Sequence, residues 1–229
     1  MNKVVLTDER VFMAVVGPSG SGKTRLIYKM LTGHTFYPRF NKIYYFYQEY
    51  QPIYDDMQRD LNIEFIPCID FDMIEKLENC LLIFDDSCEE VYDERRFSKM
   101  ATSGRHKKVN VIYIKHNLFH QSKNSRTIDL NTTHVILFKS PRDVNQVEHF
   151  GRQMNNAAFL KDSFVKATSV TFGHLMIDFN PRTSDSLRFA SNIVGPAPSV
   201  FYIPSSKAVA TNIDNERERL AYTHALYKS

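Results

Sequence analysis

The segment Val11-Phe12-Met13-Ala14-Val15-Val16-Gly17-Pro18-Ser19-Gly20-Ser21-Gly22-Lys23-Thr24 decides the fold of this chain. Its first six residues are an unbroken apolar run, as expected of a strand covered on both faces. Gly17 to Thr24 then meet the pattern G-x-x-x-x-G-K-[ST] at every fixed position, and Arg25-Leu26-Ile27-Tyr28-Lys29-Met30-Leu31 reads as a helix. Strand, glycine-rich loop and helix form the context in which the pattern has a mechanism. Glycines at 17, 20 and 22 let successive backbone N–H groups turn inward as an anion nest, and the helix N-terminus adds partial positive charge. Lys23 is expected to reach the β- and γ-phosphates, and the Thr24 hydroxyl to help hold Mg²⁺. Gly17, Pro18, Ser19, Gly20, Ser21, Gly22, Lys23, Thr24 and the following Arg25 are therefore the expected binding residues for a nucleoside triphosphate, read as ATP with Mg²⁺.

Downstream, Leu81-Leu82-Ile83-Phe84-Asp85-Asp86 is an apolar strand ending in two carboxylates, the layout of a Walker B strand. Placed beside the phosphate-loop strand, Asp85 would hold the metal through water or through Thr24. Asp86 would orient or deprotonate the attacking water, with Glu89 or Glu90 as the fallback base. Lys115-His116-Asn117-Leu118 ends the next strand, where a polar side chain can sense the γ-phosphate; Asn117 is the first choice and His116 the second. Arg105, Arg126, Arg142 and Arg152 are candidate fingers for a neighbouring subunit's site. Arg142 follows a strand directly and Pro141 stiffens its turn, but sequence does not rank it above Arg105.

The strand readings are 11–16, 42–47, 63–66, 80–84, 109–114 and 133–138, and the helices 23–31, 53–61, 70–79, 91–102, 143–154 and 155–166. Their alternation predicts an α/β three-layer sandwich with a mainly parallel central sheet. Ser169 to Asp178 and Leu187 to Ile193 read as a C-terminal antiparallel hairpin. Residues 1–195 are taken as the ATPase domain and 196–229 as a tail with a short charged helix over 212–227.

Net charge is only +3, yet it is unevenly spread. Residues 85–94 hold six acids (Asp85, Asp86, Glu89, Glu90, Asp93, Glu94) and no base, while 95–126 hold nine Lys or Arg and no acid. Such segregation fits a polyanion surface beside an acidic metal site, with Lys107, Lys108 and Lys123 as candidate grips on DNA phosphates. Cys68, Cys80 and Cys88 have no zinc spacing, and three cysteines argue against a disulfide framework, which places the chain in a reducing, intracellular setting. No apolar run approaches the ~18 residues needed to span a bilayer, so no membrane partner is expected.

Taken in order, these motifs resemble the viral genome-packaging ATPases of the FtsK/HerA superfamily, in the poxvirus-like branch carried by Polintons, adintoviruses and virophages. The resemblance rests on Gly17 to Thr24, Glu49-Tyr50-Gln51-Pro52-Ile53-Tyr54-Asp55 and Leu82-Ile83-Phe84-Asp85-Asp86. It continues through Ser103-Gly104-Arg105-His106, Asn117-Leu118-Phe119, Leu137-Phe138-Lys139-Ser140-Pro141-Arg142-Asp143 and Leu175 to Thr183. His116 stands where many relatives have Gln, and Asp86 where the wider superfamily often has Glu. The resemblance implies a RecA-like P-loop NTPase core, a homo-oligomeric ring (pentamer or hexamer), an arginine supplied in trans, and ATP-driven movement of double-stranded DNA into a preformed capsid. It implies work in the host cell at the virus assembly site, in cytoplasm or nucleus, with association with the virion left open. A non-packaging DNA-translocating, partition or conjugation ATPase, an ATP-binding scaffold and a small-molecule P-loop kinase are the other readings. The kinase reading needs an Arg-rich closing segment, and the sequence has no compact one.

Overall fold

The computed structural model describes residues 3–6, 10–33, 35–85, 91, 95–119, 124–142, 144–154 and 156–204. Strands are β1 (Phe12–Val16), β2 (Ile43–Phe46), β3 (Ile63–Ile66), β4 (Cys80–Phe84), β5 (Val109–Lys115), β6 (His134–Phe138), β7 (His174–Asp178), β8 (Phe189–Ser191) and β9 (Val200–Phe201). Helices are α1 (Lys23–Thr32), α2 (Ile53–Asp60), α3 (Phe71–Ile74), α4 (Arg95–Ser103), α5 (Ser125–Asn131), α6 (Val144–Gln153) and α7 (Ala157–Ala167), with a 3₁₀ turn at Gly104–Lys107.

Among the described residues all nine strands join one sheet in the order β3-β2-β4-β5-β1-β6-β7-β8-β9. The pairings from β3 to β6 are parallel, and those from β6 to β9 are antiparallel. The mainly parallel α/β sheet with an antiparallel C-terminal addition is thus present as expected.

Side chains alternate between the two faces, because successive residues of a strand point opposite ways. Phe12, Ala14 and Val16 of β1 join Leu82, Phe84, Tyr113, Leu175 and Ile177 on one face, covered by α3 to α7 through Ile74, Phe97, Ile128, Val147 and Phe164. Met13 and Val15 join Tyr45, Ile83, Ile112 and Met176 on the other, covered by α1 and α2 through Leu26, Ile27, Met30, Tyr54 and Met57. Burial on both faces explains why these strands read as continuous apolar runs.

Several expectations need correction. β5 stands between β4 and β1, so the Walker B strand does not adjoin the phosphate-loop strand. The helix expected over 70–79 is a single turn, Phe71–Ile74. The Asp70 carboxylate caps this turn, accepting from the Asp72 and Met73 amides at 2.9 and 3.2 Å. Residues 169–173, expected as strand, form the turn before β7. Helix α5 was missed, as was β9, which extends the sheet within residues first read as tail. β9 has two residues, too few for any period to show. The helix expected over 212–227 lies outside the described residues.

Candidate active site

The loop after β1 is held from below and from the side. The Gly17 amide donates to the Lys115 carbonyl at 3.0 Å, which fastens the loop to the end of β5. A Cβ on Gly17 would stand 2.7 Å from Phe138 Cβ at the end of β6, so only glycine fits between these strands. Gly20 and Gly22 take left-handed φ of +73° and +97°, the conformation that turns successive amides inward. Ser21 N closes on the Pro18 carbonyl at 3.2 Å, and α1 starts with Leu26 N donating to Gly22 O at 2.9 Å. Ser19, Gly20 and Arg25 are exposed.

Lys23, though only 7% exposed, has its ammonium satisfied. Nζ donates to the Gly17 carbonyl at 2.8 Å and the Pro18 carbonyl at 3.0 Å, so the lysine lies along the inside of its own loop. Thr24 Oγ1 donates to Asp85 Oδ2 at 3.3 Å, joining residues 61 apart in sequence.

This link exists although β5 separates β4 from β1. The chain must pass from β1 to β2, which lies beyond β5 and β4, so α1 runs over both strands and its first turn meets the end of β4. Asp85 is 2% exposed and continues β4, its amide donating to Phe46 O at 2.9 Å.

Two further groups reach the same carboxylate. The Tyr45 hydroxyl, from the middle of β2, donates to Asp85 Oδ2, and the Tyr54 hydroxyl of α2 donates to it at 3.0 Å. Burial first, then the negative charge of Asp85, push the Tyr45 phenol well above its ordinary pKa, so it stays a donor. The Tyr45 and Tyr54 rings pack with centroids 5.0 Å apart, and Phe65 stacks on Tyr54 at 4.9 Å, fixing both hydroxyls. In the sequence Tyr45 is one residue of an aromatic strand and Tyr54 part of a helix. The available signal was a pair of tyrosines at core positions, since a buried phenol needs a polar partner.

Of the other expected residues, His116 and Asn117 follow β5 directly and are exposed, beside the strand end that fastens Gly17. Lys115 before them is buried, and its Nζ donates to the Leu118 carbonyl and to Asp129. Arg142 is exposed in the turn after β6, at the same end of the sheet as the phosphate loop. Arg126 is exposed on α5, and Arg152 pairs with Glu148 at 3.3 Å.

Arg105 belongs to the 3₁₀ turn that precedes β5. The turn, with Lys107 and Lys108, therefore sits at the opposite end of the parallel strands from Gly17. Asp86, Cys88, Glu89, Glu90 and Lys123 lie outside the described residues, as does the Arg105 side chain. Cys80 is buried, which pushes its thiol up to about 11, and Cys68 is exposed; neither forms a disulfide. Among the described residues no helix is long and apolar enough to cross a membrane.

No protein-family model matches the chain, and no curated protein matches it. Solved structures do. B204, the genome packaging NTPase of Sulfolobus turreted icosahedral virus 2, in complex with AMPPCP, superposes with a TM-score of 0.54 over 86% of this chain and 100% of B204, at 13% identity. The same protein with ATP-gammaS gives 0.51 over 85% and 97%, at 13% identity. B204 described as the DNA-packaging ATPase of Sulfolobus turreted icosahedral virus gives 0.52 over 87% and 99%, at 12% identity. At that identity the likeness speaks for architecture. The strand order, the glycine loop and these superpositions together give the chain a P-loop NTPase fold.

Proposed function

We propose that this chain hydrolyses ATP and uses the energy to move double-stranded DNA, as a genome-packaging ATPase of the FtsK/HerA type working in a ring of its own copies. The observation that carries the hydrolytic part is the Thr24–Asp85 pair, an alcohol and a buried carboxylate meeting at the first turn of α1 beside the phosphate loop. These are hard oxygen donors of the kind Mg²⁺ prefers. Mg²⁺ held by Thr24 and Asp85 would neutralise charge on the β- and γ-phosphates.

The chain's own groups supply the rest. The backbone amides of Gly20, Gly22, Lys23 and Thr24 bind phosphate oxygens, and the Lys23 ammonium exchanges its two loop carbonyls for the γ-phosphate. Tyr45 and Tyr54 orient Asp85 by donating to Oδ2. Asp86 acts on the attacking water, and Asn117, with His116 beside it, reads the γ-phosphate from the end of β5. Arg142, exposed at the phosphate-loop end, is the first choice for a finger reaching a neighbouring subunit, with Arg105 second.

The DNA part is supported by the basic stretch 95–126, by the ordered motifs that resemble those of packaging ATPases, and by the superposition on B204, a DNA-packaging ATPase. Capsid proteins are the further partners of such a motor. Phosphate grips without base readout predict affinity that falls steeply with salt.

The test is steady-state ATP hydrolysis with and without long double-stranded DNA across a salt series, for wild type and Asp85→Asn. The expected result is hydrolysis stimulated by DNA, stimulation that fades as salt rises, and a loss of about 100-fold or more in the variant. Turnover indifferent to DNA in assembled protein overturns the motor. Phosphorylation of an added nucleoside without DNA would move the assignment to a kinase.

A further inference from the structure

The loop joining α7 to β7 is built tightly and carries an aromatic ring that the core does not use. Thr168 Oγ1 donates to Phe164 O at 2.7 Å and Ser169 Oγ to Lys166 O at 2.8 Å, closing the end of α7. Gly173 N donates to Val170 O at 3.0 Å, and a Cβ on Gly173 would stand 2.5 Å from the Ala167 carbonyl, so the chain turns back hard against the helix. His174 Nδ1 lies 3.2 Å from the Phe172 carbonyl, which can only accept, so Nδ1 carries the proton. Held in this way, Phe172 has φ +58°, a left-handed conformation that a bulky side chain adopts only under constraint. Its ring is not buried in exchange: Phe172 is 60% exposed, and Val170 beside it is 61% exposed.

The ring instead lies over the phosphate loop. A Cβ placed on Gly22 would stand 3.0 Å from Phe172 Cδ1 and 3.6 Å from Cγ. Gly22 immediately precedes Lys23, so the exposed ring borders the loop that would hold a nucleotide's phosphates. An exposed aromatic face at that distance has the shape and polarisability to stack on a planar heterocycle.

We infer that Phe172 is the nucleobase platform of this site: it takes the purine of a nucleoside triphosphate by stacking, while Gly17 to Thr24 take its phosphates. The inference rests on the proposed nucleotide-binding function and adds how the site holds the part of the ligand that the phosphate loop cannot recognise. It makes Phe172 a binding residue acting on affinity rather than on the chemical step.

The chain contains no tryptophan, so Phe172→Trp introduces a single indole whose fluorescence reports directly on what covers position 172. Titration of this variant with Mg²⁺–ATP and with Mg²⁺–tripolyphosphate, which has the phosphates and no base, separates the two halves of the site. The expected result is a saturable change in indole emission with ATP and not with tripolyphosphate. In parallel, Phe172→Gly, which suits the left-handed backbone and removes the ring, weakens ATP binding by about 5- to 100-fold and leaves tripolyphosphate binding unchanged. Equal weakening for both ligands overturns the inference, since the ring would then only shape the phosphate loop. An indole indifferent to bound ATP overturns it as well, as does a change in subunit assembly alone. Should wild type bind neither ligand, the nucleotide reading itself fails, a result distinct from either.

Discussion

β1 and β7 flank β6, are five residues long and are buried along their whole length, yet they meet the site from opposite directions. β1 runs parallel to β6 and delivers the phosphate loop from its carboxyl end. β7 runs antiparallel, so the end that lies beside the phosphate loop is its amino end, and the segment placed there is the one before the strand, carrying Phe172. In a parallel sheet one looks past the carboxyl ends of strands for ligand-binding residues. That rule picks out Gly17, Asp85, Asn117 and Arg142 as candidates, and passes over a residue introduced by an antiparallel neighbour.

The comparison predicts that β7 separates stability from chemistry, and three variants test it. The largest expected effect is on Ile177, fully buried in the core face of β7. Ile177→Ala should lower unfolding free energy by about 2–5 kcal/mol in denaturant titration, with turnover per folded molecule unchanged. Loss of turnover in the folded fraction would mean that β7 transmits strain to the site, and the separation would fail.

An intermediate effect is expected on the parallel side. Tyr45→Phe removes one hydrogen bond to the buried Asp85 carboxylate and should cut Mg²⁺-dependent hydrolysis by about tenfold. It should raise the magnesium concentration needed for half-maximal rate. An unchanged magnesium dependence would reduce Tyr45 to a packing residue.

The smallest effect concerns His174, at the amino end of β7, where burial lowers its pKa below the ordinary 6.5. The folded protein therefore keeps this imidazole neutral, while the unfolded chain takes up a proton as the pH falls below about 6.5. The group's contribution is fully present above that pH and is lost on acidification toward the folded pKa. Thermal unfolding at about pH 7.5 and about pH 5.5 should show His174→Phe losing less stability than wild type over this interval. An equal loss would show that other groups govern the acid side.

Much of the molecule was legible because its signals are local. Gly17 to Thr24 need only their own order to be recognised, and Cys80 to Phe84 reads as buried strand because every side chain is apolar. Phe71–Ile74 was read too long, since helical spacing at Phe71, Ile74 and Leu77 does not reveal that the chain must stop short to enter β4. Asp85 was expected to hold a metal from its place after an apolar strand, but the hydroxyls that donate to it could not be read. Tyr45 and Tyr54 lie 40 and 31 residues away, and each belongs to an element that looks complete without a functional task.

Sequence alone determined that this chain has a phosphate loop, an acid-ended buried strand and an α/β alternation closed by antiparallel strands, because each is written in consecutive residues whose backbone or burial requirements leave few other solutions. Only the tertiary structure decided that β5 separates β4 from β1, that α1 nevertheless carries Thr24 to Asp85, and that Phe172 rests on Gly22. Those outcomes depend on strand order and on the direction in which β7 enters the sheet, which are set by packing across long separations and leave no periodic trace in the chain.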